Sequence, residues 1–213
     1  MNKKIIGYDA KRIVRNGTGL GSYGRTLIND LAPLMPDTNL RLYAPDAGRD
    51  DLRNQVELRG NVQFCYPDHL RFRLQRDWWR VKGVVKDLKA DGVELYHGLS
   101  GELPSGLAAA GIPGVVTVHD LIFLRHPEFY PAIDVFFYKR KFYQTLREAS
   151  RIIAISECTK RDILYYGDFP EDKIDLVYQS CSTRFSQSVS PELIEEARRK
   201  YQLPQRYILN VGT

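Results

Sequence analysis

The sequence predicts an α/β fold: a Rossmann-like, doubly wound, mostly parallel sheet with helices on both faces. Short apolar runs rich in β-branched residues recur along the chain, and such runs are typical of strands buried on both sides. Segments with helical periodicity separate nearly all of them, which is the pattern of a parallel sheet. With 213 residues, 43% of them hydrophobic, the chain can form one large domain or two small ones.

Eight apolar runs are predicted to be strands. They cover residues 5–8, 39–44, 62–65, 93–96, 114–118, 152–155, 174–178 and 207–211. The last run enters a glycine turn and resembles the first strand of another α/β unit, although an ordinary strand completing the sheet is the alternative. We therefore predict an N-terminal domain over residues 1–204, and over 205–213 the first strand of a C-terminal domain.

The helices are predicted from apolar periodicity and from capping residues. Ser22, Asp134, Ser156 and Ser190 are expected to cap helices over residues 22–34, 134–150, 157–166 and 191–201. Residues 104–110 are expected to form a helix of small residues. Apolar residues also recur at helical spacing between 74 and 88. Trp78 lies on that apolar stripe and is expected to be buried, whereas Trp79 lies off it.

Two histidines follow predicted strands. His119-Asp120 ends the run 114–118, and His97 ends the preceding one. Because ligands of open parallel sheets bind beyond the carboxyl ends of the strands, both imidazoles are expected at the ligand edge. A neutral imidazole there can exchange hydrogen bonds with a substrate hydroxyl near pH 7. The alternative is a histidine satisfied by backbone groups, with Asp120 capping a turn.

The loop over residues 17–24 contains Gly19, Leu20 and Gly21 ahead of a helix. Its G-x-G-x-x-G pattern starts too far after the first strand for a dinucleotide fingerprint, and the Gly-Lys-Ser/Thr of a P-loop is absent. Backbone N–H groups of such a loop can approach an anion at the helix N-terminus. A flexible surface loop is the alternative.

Ser156-Glu157 follows the run 152–155 and is another candidate, although a helix cap with an acid in the first turn explains it more simply. Two segments, 71–80 and 136–143, mix cations with aromatic residues, as an anionic interface or a lipid-phosphate acceptor would require. An amphipathic core helix with a solvated face is the alternative for the first of them.

Composition limits the partners. The net charge of +5 favours anionic partners without choosing among them. Three widely spaced cysteines fit a reducing compartment, and the N-terminus shows no signal-peptide pattern, so we expect a cytoplasmic protein for which peripheral contact with the inner face of the cell membrane remains open. The sequence contains no Asp-x-Asp, H-E-x-x-H or G-x-S-x-G, and no metal site is expected.

Several segments together resemble a known family. In chain order they are Asp9-x-x-Arg12, Gly19-Leu20-Gly21-Ser22-Tyr23, His97-Gly98 with Leu103-Pro104, Val116-Thr117-Val118-His119-Asp120-Leu121, Ile152-Ile153-Ala154-Ile155-Ser156-Glu157 with Thr159-Lys160, and Tyr207-Ile208-Leu209-Asn210-Val211-Gly212. Their order and spacing resemble the N-terminal half of a group 1, family 4 glycosyltransferase with the two-domain GT-B fold. After the run 174–178, the family commonly has Asn-Gly, and this sequence has Gln179-Ser180-Cys181 instead.

The resemblance implies an enzyme that transfers a hexose from a nucleotide sugar to a saccharide or lipid-linked acceptor, with retention and without a metal or cofactor, in cell-surface polysaccharide or glycoconjugate synthesis. A UDP- or GDP-hexose would be the donor. His119 would face the transferred sugar, and the Gly19–Gly21 loop would approach the donor phosphates. Asp9, Arg12, His97, Asp120, Ser156 and Glu157 would lie on the acceptor side.

The resemblance also implies that the nucleotide binds to a C-terminal domain, so the 213-residue chain alone is expected to be inactive. No nucleic-acid partner is expected. A non-catalytic sugar- or nucleotide-binding module and a nucleotide-sugar epimerase of similar architecture are the alternatives. A nicotinamide-dependent oxidoreductase is a weaker one that rests only on the glycine pattern.

Overall fold

The computed structural model describes residues 3–67, 70, 72–181 and 183–210. The chain divides after Gln179 into two compact units. The first contains a seven-stranded sheet, and the second, from Ser180 onward, contains one α-helix within the described residues. The predicted domain boundary after residue 204 stays a prediction.

Every strand pairing of the sheet is parallel, which confirms the predicted doubly wound α/β fold. The strands are β1 (Lys4–Asp9), β2 (Thr38–Tyr43), β3 (Val62–Cys65), β4 (Leu95–Gly98), β5 (Gly114–Val118), β6 (Ala149–Ala154) and β7 (Ile174–Leu176), in the spatial order β3-β2-β1-β4-β5-β6-β7. The order reverses between β1 and β4. In such sheets the ligand crevice lies beyond the carboxyl ends of the strands at this point.

The helices that connect successive strands cover the sheet. They are α1 (Lys11–Arg15), α2 (Gly19–Leu34), α3 (Asp50–Arg53), α4 (Arg73–Trp78), a π-helix (Trp79–Gly83), α5 (Val84–Ala90), α6 (Ile122–Arg125), α7 (Ala132–Glu148) and α8 (Glu157–Gly167); the second unit contains α9 (Pro191–Lys200). Two predicted caps are confirmed: the hydroxyl oxygens of Ser156 and Ser190 accept from backbone N–H groups in the first turns of α8 and α9.

Two hydrophobic cores lie on the two faces of the interior strand β1. Ile6 and Tyr8 pack into one core together with residues of α1, α2 and β2. Ile5 packs into the other, which contains residues of α5, α7 and α8. Gly7 faces this second core, where a Cβ would lie 3.0 Å from the ring of Tyr96. The alternation of faces along β1 is the period-two pattern of a strand that is covered on both sides.

Two predicted helix starts were wrong. Helix α2 begins at Gly19 instead of after Ser22, and Thr18 precedes it as the N-cap residue. The glycine segment is therefore the first turn of the helix rather than a loop before it. Helix α7 begins at Ala132, two residues ahead of the predicted cap Asp134.

The predicted helix over 104–110 is absent, and turns take its place. Gly106 has a φ of +91°, outside the helical region. The carboxylate of Glu148 accepts the N–H groups of Gly106 and Ala108 at 2.8 and 2.9 Å, so these donors are satisfied without a helix. The run 207–211 forms no strand over residues 207–210, and Val211 lies outside the described residues.

The predicted burial of Trp78 was also wrong. Trp78 is 60% exposed, whereas Trp79, which lies off the predicted stripe, is 3% exposed. The π-helix accounts for this, because its wider turn shifts the phase of the residues that follow α4. Trp79 enters the core, where its indole N–H donates to Asp87 Oδ2 at 2.5 Å.

Candidate functional site

A cleft of about 270 Å³ lies beyond the carboxyl end of β5, next to the point where the strand order reverses. Residues from four segments line it: α1, the start of α2, the turn after β4, and the chain from β5 to α7. Those that carry polar or aromatic groups include Arg12, Ser100, Glu102, His119, Asp120, Phe123, Tyr130, Tyr138 and Lys141. The structure therefore brings four predicted site residues, Arg12, Leu20, His119 and Asp120, into one cleft.

His119 is held on both ring nitrogens. Nε2 lies 2.9 Å from the carbonyl oxygen of Leu99, and Nδ1 lies 2.9 Å from the amide nitrogen of Gln179. Because a carbonyl only accepts, Nε2 carries the proton and Nδ1 is the acceptor. Burial lowers the pKa of His119, although the Leu99 carbonyl and Asp120 act in the opposite direction. Burial therefore favours the neutral form of the imidazole.

His97 lies in the protein interior. Its Nε2 is 2.8 Å from the hydroxyl of Thr117, which lies 3.1 Å from the hydroxyl of Tyr23. Burial lowers the pKa of His97 to about 4. The ring of Tyr23 packs edge-on against His119 with the centroids 5.0 Å apart. In this structure His97 thus supports the residues around His119 instead of lining the cleft.

Asp9 belongs to a chain of four charged side chains. Its carboxylate, 3% exposed, forms an ion pair with Arg80, which also binds Glu102. Glu102 in turn accepts from Lys141 Nζ at 3.0 Å. Burial alone would raise the pKa of Glu102, but Arg80 and Lys141 hold it at about 2. A small cavity of about 90 Å³ adjoins these residues and shares Glu102 and Lys141 with the cleft.

The glycine turn is fixed by two side chains that the sequence analysis did not single out. Asn16 Oδ1 accepts from the N–H groups of Thr18 and Gly21, and a Cβ on Gly21 would lie 1.8 Å from the Asn16 carbonyl oxygen. Arg25 donates to the carbonyl oxygens of Ile13 and Asn16 at 2.8 and 2.9 Å. Both side chains hold α1 against the start of α2, and this contact requires glycine at position 21.

The first turn of α2 has open space around Gly19, where a Cβ would meet nothing within 4 Å. The first N–H groups of an α-helix lack partners within the helix, so Gly19 and Leu20 present theirs to the surface. Arg12 is exposed and lines the same cleft. Within the described ranges no acidic side chain pairs with its guanidinium. The site thus combines one unpaired cation with a helix N-terminus.

The remaining predicted residues act through the backbone. Asp120 Oδ1 accepts from the N–H of Ile122 at 3.2 Å, which is the turn-capping alternative. Ser156 caps α8 by accepting from the N–H of Thr159, whose hydroxyl donates to the carbonyl oxygen of His119 at 2.9 Å. Glu157 is exposed in the first turn of α8, where a carboxylate is favourable to the helix dipole.

Two further kinds of site are absent from the described residues. No three His, Cys, Asp or Glu side chains of that part of the chain are grouped so that they could hold a metal ion. Over the same ranges, none of the helices is long and apolar enough to cross a membrane.

Solved structures share this architecture. A glycosyltransferase from Rickettsia africae has a TM-score of 0.59 at 14% sequence identity, with 96% of this chain and 51% of that chain covered. HepE of Anabaena, solved in complex with UDP-glucose, has a TM-score of 0.57 at 16% identity, with 94% and 50% covered. At these identities the similarity establishes the fold, in agreement with the predicted half of a GT-B fold.

Sequence comparison identifies the family. The O-antigen chain mannosyltransferase B of Escherichia coli is 26% identical over 208 residues, which are 92% of this chain and 52% of that protein. The chain thus spans about half the length of the relatives that it matches. Residues 19–184 match the family described as Glycosyltransferase Family 4, and this segment contains the glycine turn, His119 and Ser156. The chain belongs to glycosyltransferase family 4.

Proposed function

We propose that this chain is the acceptor-side domain of an enzyme that transfers a hexose from a UDP- or GDP-hexose to a saccharide or lipid-linked acceptor. The observation that carries the proposal is the neutral, oriented imidazole of His119 in a cleft at the ligand edge of a parallel sheet. Support for the donor class comes from HepE, which was solved with UDP and with UDP-glucose. The mannosyltransferase relative supports a role in cell-surface polysaccharide or glycoconjugate synthesis.

The donor side of the reaction would use His119 and the start of α2. A departing nucleoside diphosphate develops negative charge, which dipoles and cations stabilise when they are already in place. The N–H groups of Gly19 and Leu20 supply such dipoles. Gly21 lets the backbone of α2 approach the Asn16 carbonyl oxygen closely, and this contact fixes the first turn of α2. His119 would face the transferred sugar, with its ring held in one orientation by the Leu99 carbonyl oxygen and the Gln179 amide.

The acceptor would occupy the cleft beside His119. Tyr130 and Tyr138 lie edge to face there with the centroids 6.1 Å apart, and Phe123 packs against Tyr138. Aromatic faces of this kind suit the apolar side of a sugar ring, and the exposed guanidinium of Arg12 suits a hydroxyl or a phosphate of the acceptor. We further propose that transfer proceeds with retention and without a metal ion, and that it requires a C-terminal nucleotide-binding domain.

Contact with an anionic membrane is part of the proposal. Trp78, Phe136 and Phe137 are exposed, and Lys139 and Arg140 lie beside the two phenylalanines on α7. Exposed aromatic rings next to cations are typical of protein surfaces that bind at a lipid interface. The free cysteines support a reducing, cytoplasmic compartment. Sedimentation with anionic and zwitterionic vesicles tests the contact, and binding to neither would contradict it.

The catalytic part is tested by His119→Ala in the complete enzyme. Loss of one oriented group at the reacting sugar is expected to lower kcat by about 10²–10³-fold, with an unchanged circular dichroism spectrum. His126→Ala is the matched control, because His126 is exposed and bound to Glu128 outside the residues that line the cleft. Product analysis with the complete enzyme separates transfer from epimerisation. Wild-type turnover in the His119 variant would contradict the assignment.

A further inference from the structure

The second nitrogen of the His119 ring carries an inference beyond the assignment of that histidine. Nε2 is committed to the Leu99 carbonyl, so Nδ1 needs a hydrogen-bond donor. The nearby hydroxyls are engaged elsewhere: that of Tyr23 pairs with Thr117, and that of Thr159 donates to the backbone oxygen of His119. The side-chain amide of Gln179 lies 2.9 Å from Nδ1.

We propose that Gln179 is a positioning residue for His119: its amide N–H donates to Nδ1 and holds the imidazole as the Nε2-protonated tautomer in one orientation. The catalytic consequence of this hydrogen bond rests on the function proposed above, whereas the hydrogen bond and its test do not. The backbone before Gln179 is anchored, since the N–H of Val177 donates to the carbonyl oxygen of Ala154 at 3.0 Å. The amide is thereby presented from a fixed strand end.

An amide suits this position because it carries a donor and an acceptor on one rotatable group. With a neutral ring the NH₂ group faces Nδ1. With an imidazolium, rotation of the amide would bring Oε1 to the same place. A carboxylate at position 179 offers acceptors only, so it would favour a proton on Nδ1. The chemistry of residue 179 therefore selects between the protonation states of His119.

The charged and titratable groups around the ring are few. Asp120 follows His119 in the chain and favours the imidazolium, and the uncharged phenol of Tyr23 packs against the ring from α2. Arg12 from α1 and Lys141 from α7 line the same cleft and disfavour a further positive charge, whereas the carboxylate of Glu102, which also lines it, favours one. Burial lowers the pKa of His119, and donation from Gln179 to Nδ1 acts in the same direction.

The test is ¹⁵N NMR of the imidazole nitrogens, whose shifts differ strongly between protonated and unprotonated nitrogen. The His119 signals are assigned by their loss in His119→Asn. In the wild-type chain at pH 7 we expect a protonated Nε2 and an unprotonated Nδ1. In Gln179→Glu we expect a proton on Nδ1 and a raised His119 pKa. In Gln179→Leu we expect loss of the single tautomer and a pKa that also rises, because the neutral ring loses its donor.

Gln63→Glu is the matched control. It makes the same change of charge at an exposed position on β3, the opposite edge strand from β7, and should leave the His119 signals unchanged. Gln179 is exposed, so its variants are expected to keep the wild-type circular dichroism spectrum. Should the leucine variant lose its fold, Gln179→Asn replaces it: the amide is kept but is one methylene too short to reach Nδ1, so the single tautomer should again be lost.

A wild-type Nδ1 that is protonated at pH 7 would overturn the proposal. So would a His119 tautomer and pKa that are the same in wild type, Gln179→Glu and Gln179→Leu. These results are separate from the kinetic test of His119. If His119→Ala turns over normally while the NMR shifts follow residue 179, the function proposed for His119 fails and the positioning by Gln179 stands.

Discussion

Replacing Arg80 with methionine should destabilise the first unit strongly. The guanidinium is the common partner of Asp9 and Glu102, and its side chain is only 11% exposed. Methionine keeps most of the length and the apolar stem of arginine but leaves both carboxylates without their main cation. Lys141 continues to neutralise Glu102, so Asp9 is the group left uncompensated.

The size of the effect follows from the burial of Asp9. Removing one partner of a buried ion pair costs about 3–5 kcal/mol, because the charge that stays behind cannot regain its hydration. With an m-value of about 2–3 kcal/mol/M, the urea midpoint should fall by about 1–2.5 M. Arg73→Met is the matched control on α4, since Arg73 is 88% exposed and its nitrogen lies 3.8 Å from Asp77. That change should cost less than about 1 kcal/mol.

The pH dependence gives a second check. The pKa of Glu102 in the folded protein, about 2, lies below its ordinary value of 4.5. Stability from this group is therefore fully present above about pH 4.5 and is lost as the pH falls towards 2. The difference between wild type and Arg80→Met should be largest near neutral pH and should narrow as the pH falls below 4.5. A urea midpoint for Arg80→Met equal to that of Arg73→Met at pH 7 would refute this reasoning.

Three other predictions use paired or pH-resolved measurements. Gly21→Ala should lower the melting temperature by several degrees, because its Cβ would overlap a backbone oxygen, whereas Gly19→Ala should be tolerated; equal melting temperatures would contradict this. Stability should fall as the pH drops from 6.5 towards 4, because the pKa of buried His97 is lowered to about 4, and His97→Asn should flatten this slope in urea titrations. Trp79→Phe should cost more stability than Trp78→Phe, because Trp79 is buried and Trp78 is exposed. Trp79→Phe should also remove the part of the tryptophan fluorescence that acrylamide quenches least. If Trp78→Phe had the larger effect in both measurements, the exposures of the two side chains would be reversed.

The sheet could be predicted from sequence because each strand is marked by a local pattern of residues. Runs such as Val115–Val118 are apolar on both faces, and only a parallel sheet with helices on both sides can bury them. The position of His119 followed from this, since a strand end at a known edge needs no long-range information. The caps at Ser156 and Ser190 were equally local, because a hydroxyl three residues before an N–H is a property of one turn.

The errors arose where distant groups decide the local structure. The π-helix exposes Trp78 and buries Trp79, and no single-turn pattern marks its extra residue. Residues 104–110 could not be recognised as turns, because the carboxylate that satisfies their N–H groups comes from Glu148 on another helix. The start of α2 depends on a nearer group, Asn16, whose amide oxygen accepts from the N–H of Gly21 five residues on.

The polar site was predicted only in part for the same reason. The partners in this site are far apart in the sequence: Asp9 pairs with Arg80, which also binds Glu102, and His119 pairs with Gln179. Nothing in the sequence around a single arginine or glutamine indicates which distant residue it will contact. The pairing of Asp9 with Arg80 spans 71 residues, and that of His119 with Gln179 spans 60. The topology brings them together, so they become visible only once strand order is known.

The four-membered chain of charges also determines the electrostatic background of the cleft. Asp9 and Glu102 carry two negative charges, and Arg80 and Lys141 carry two positive ones, so the formal charges cancel. Arg12 and Asp120 are the charged side chains outside this chain of four that line the cleft. Any substitution that removes one member of the chain would leave a whole unit of charge beside the binding site. The choice between neutral and phosphorylated ligands would then depend on salt concentration, through a residue that need not touch either of them.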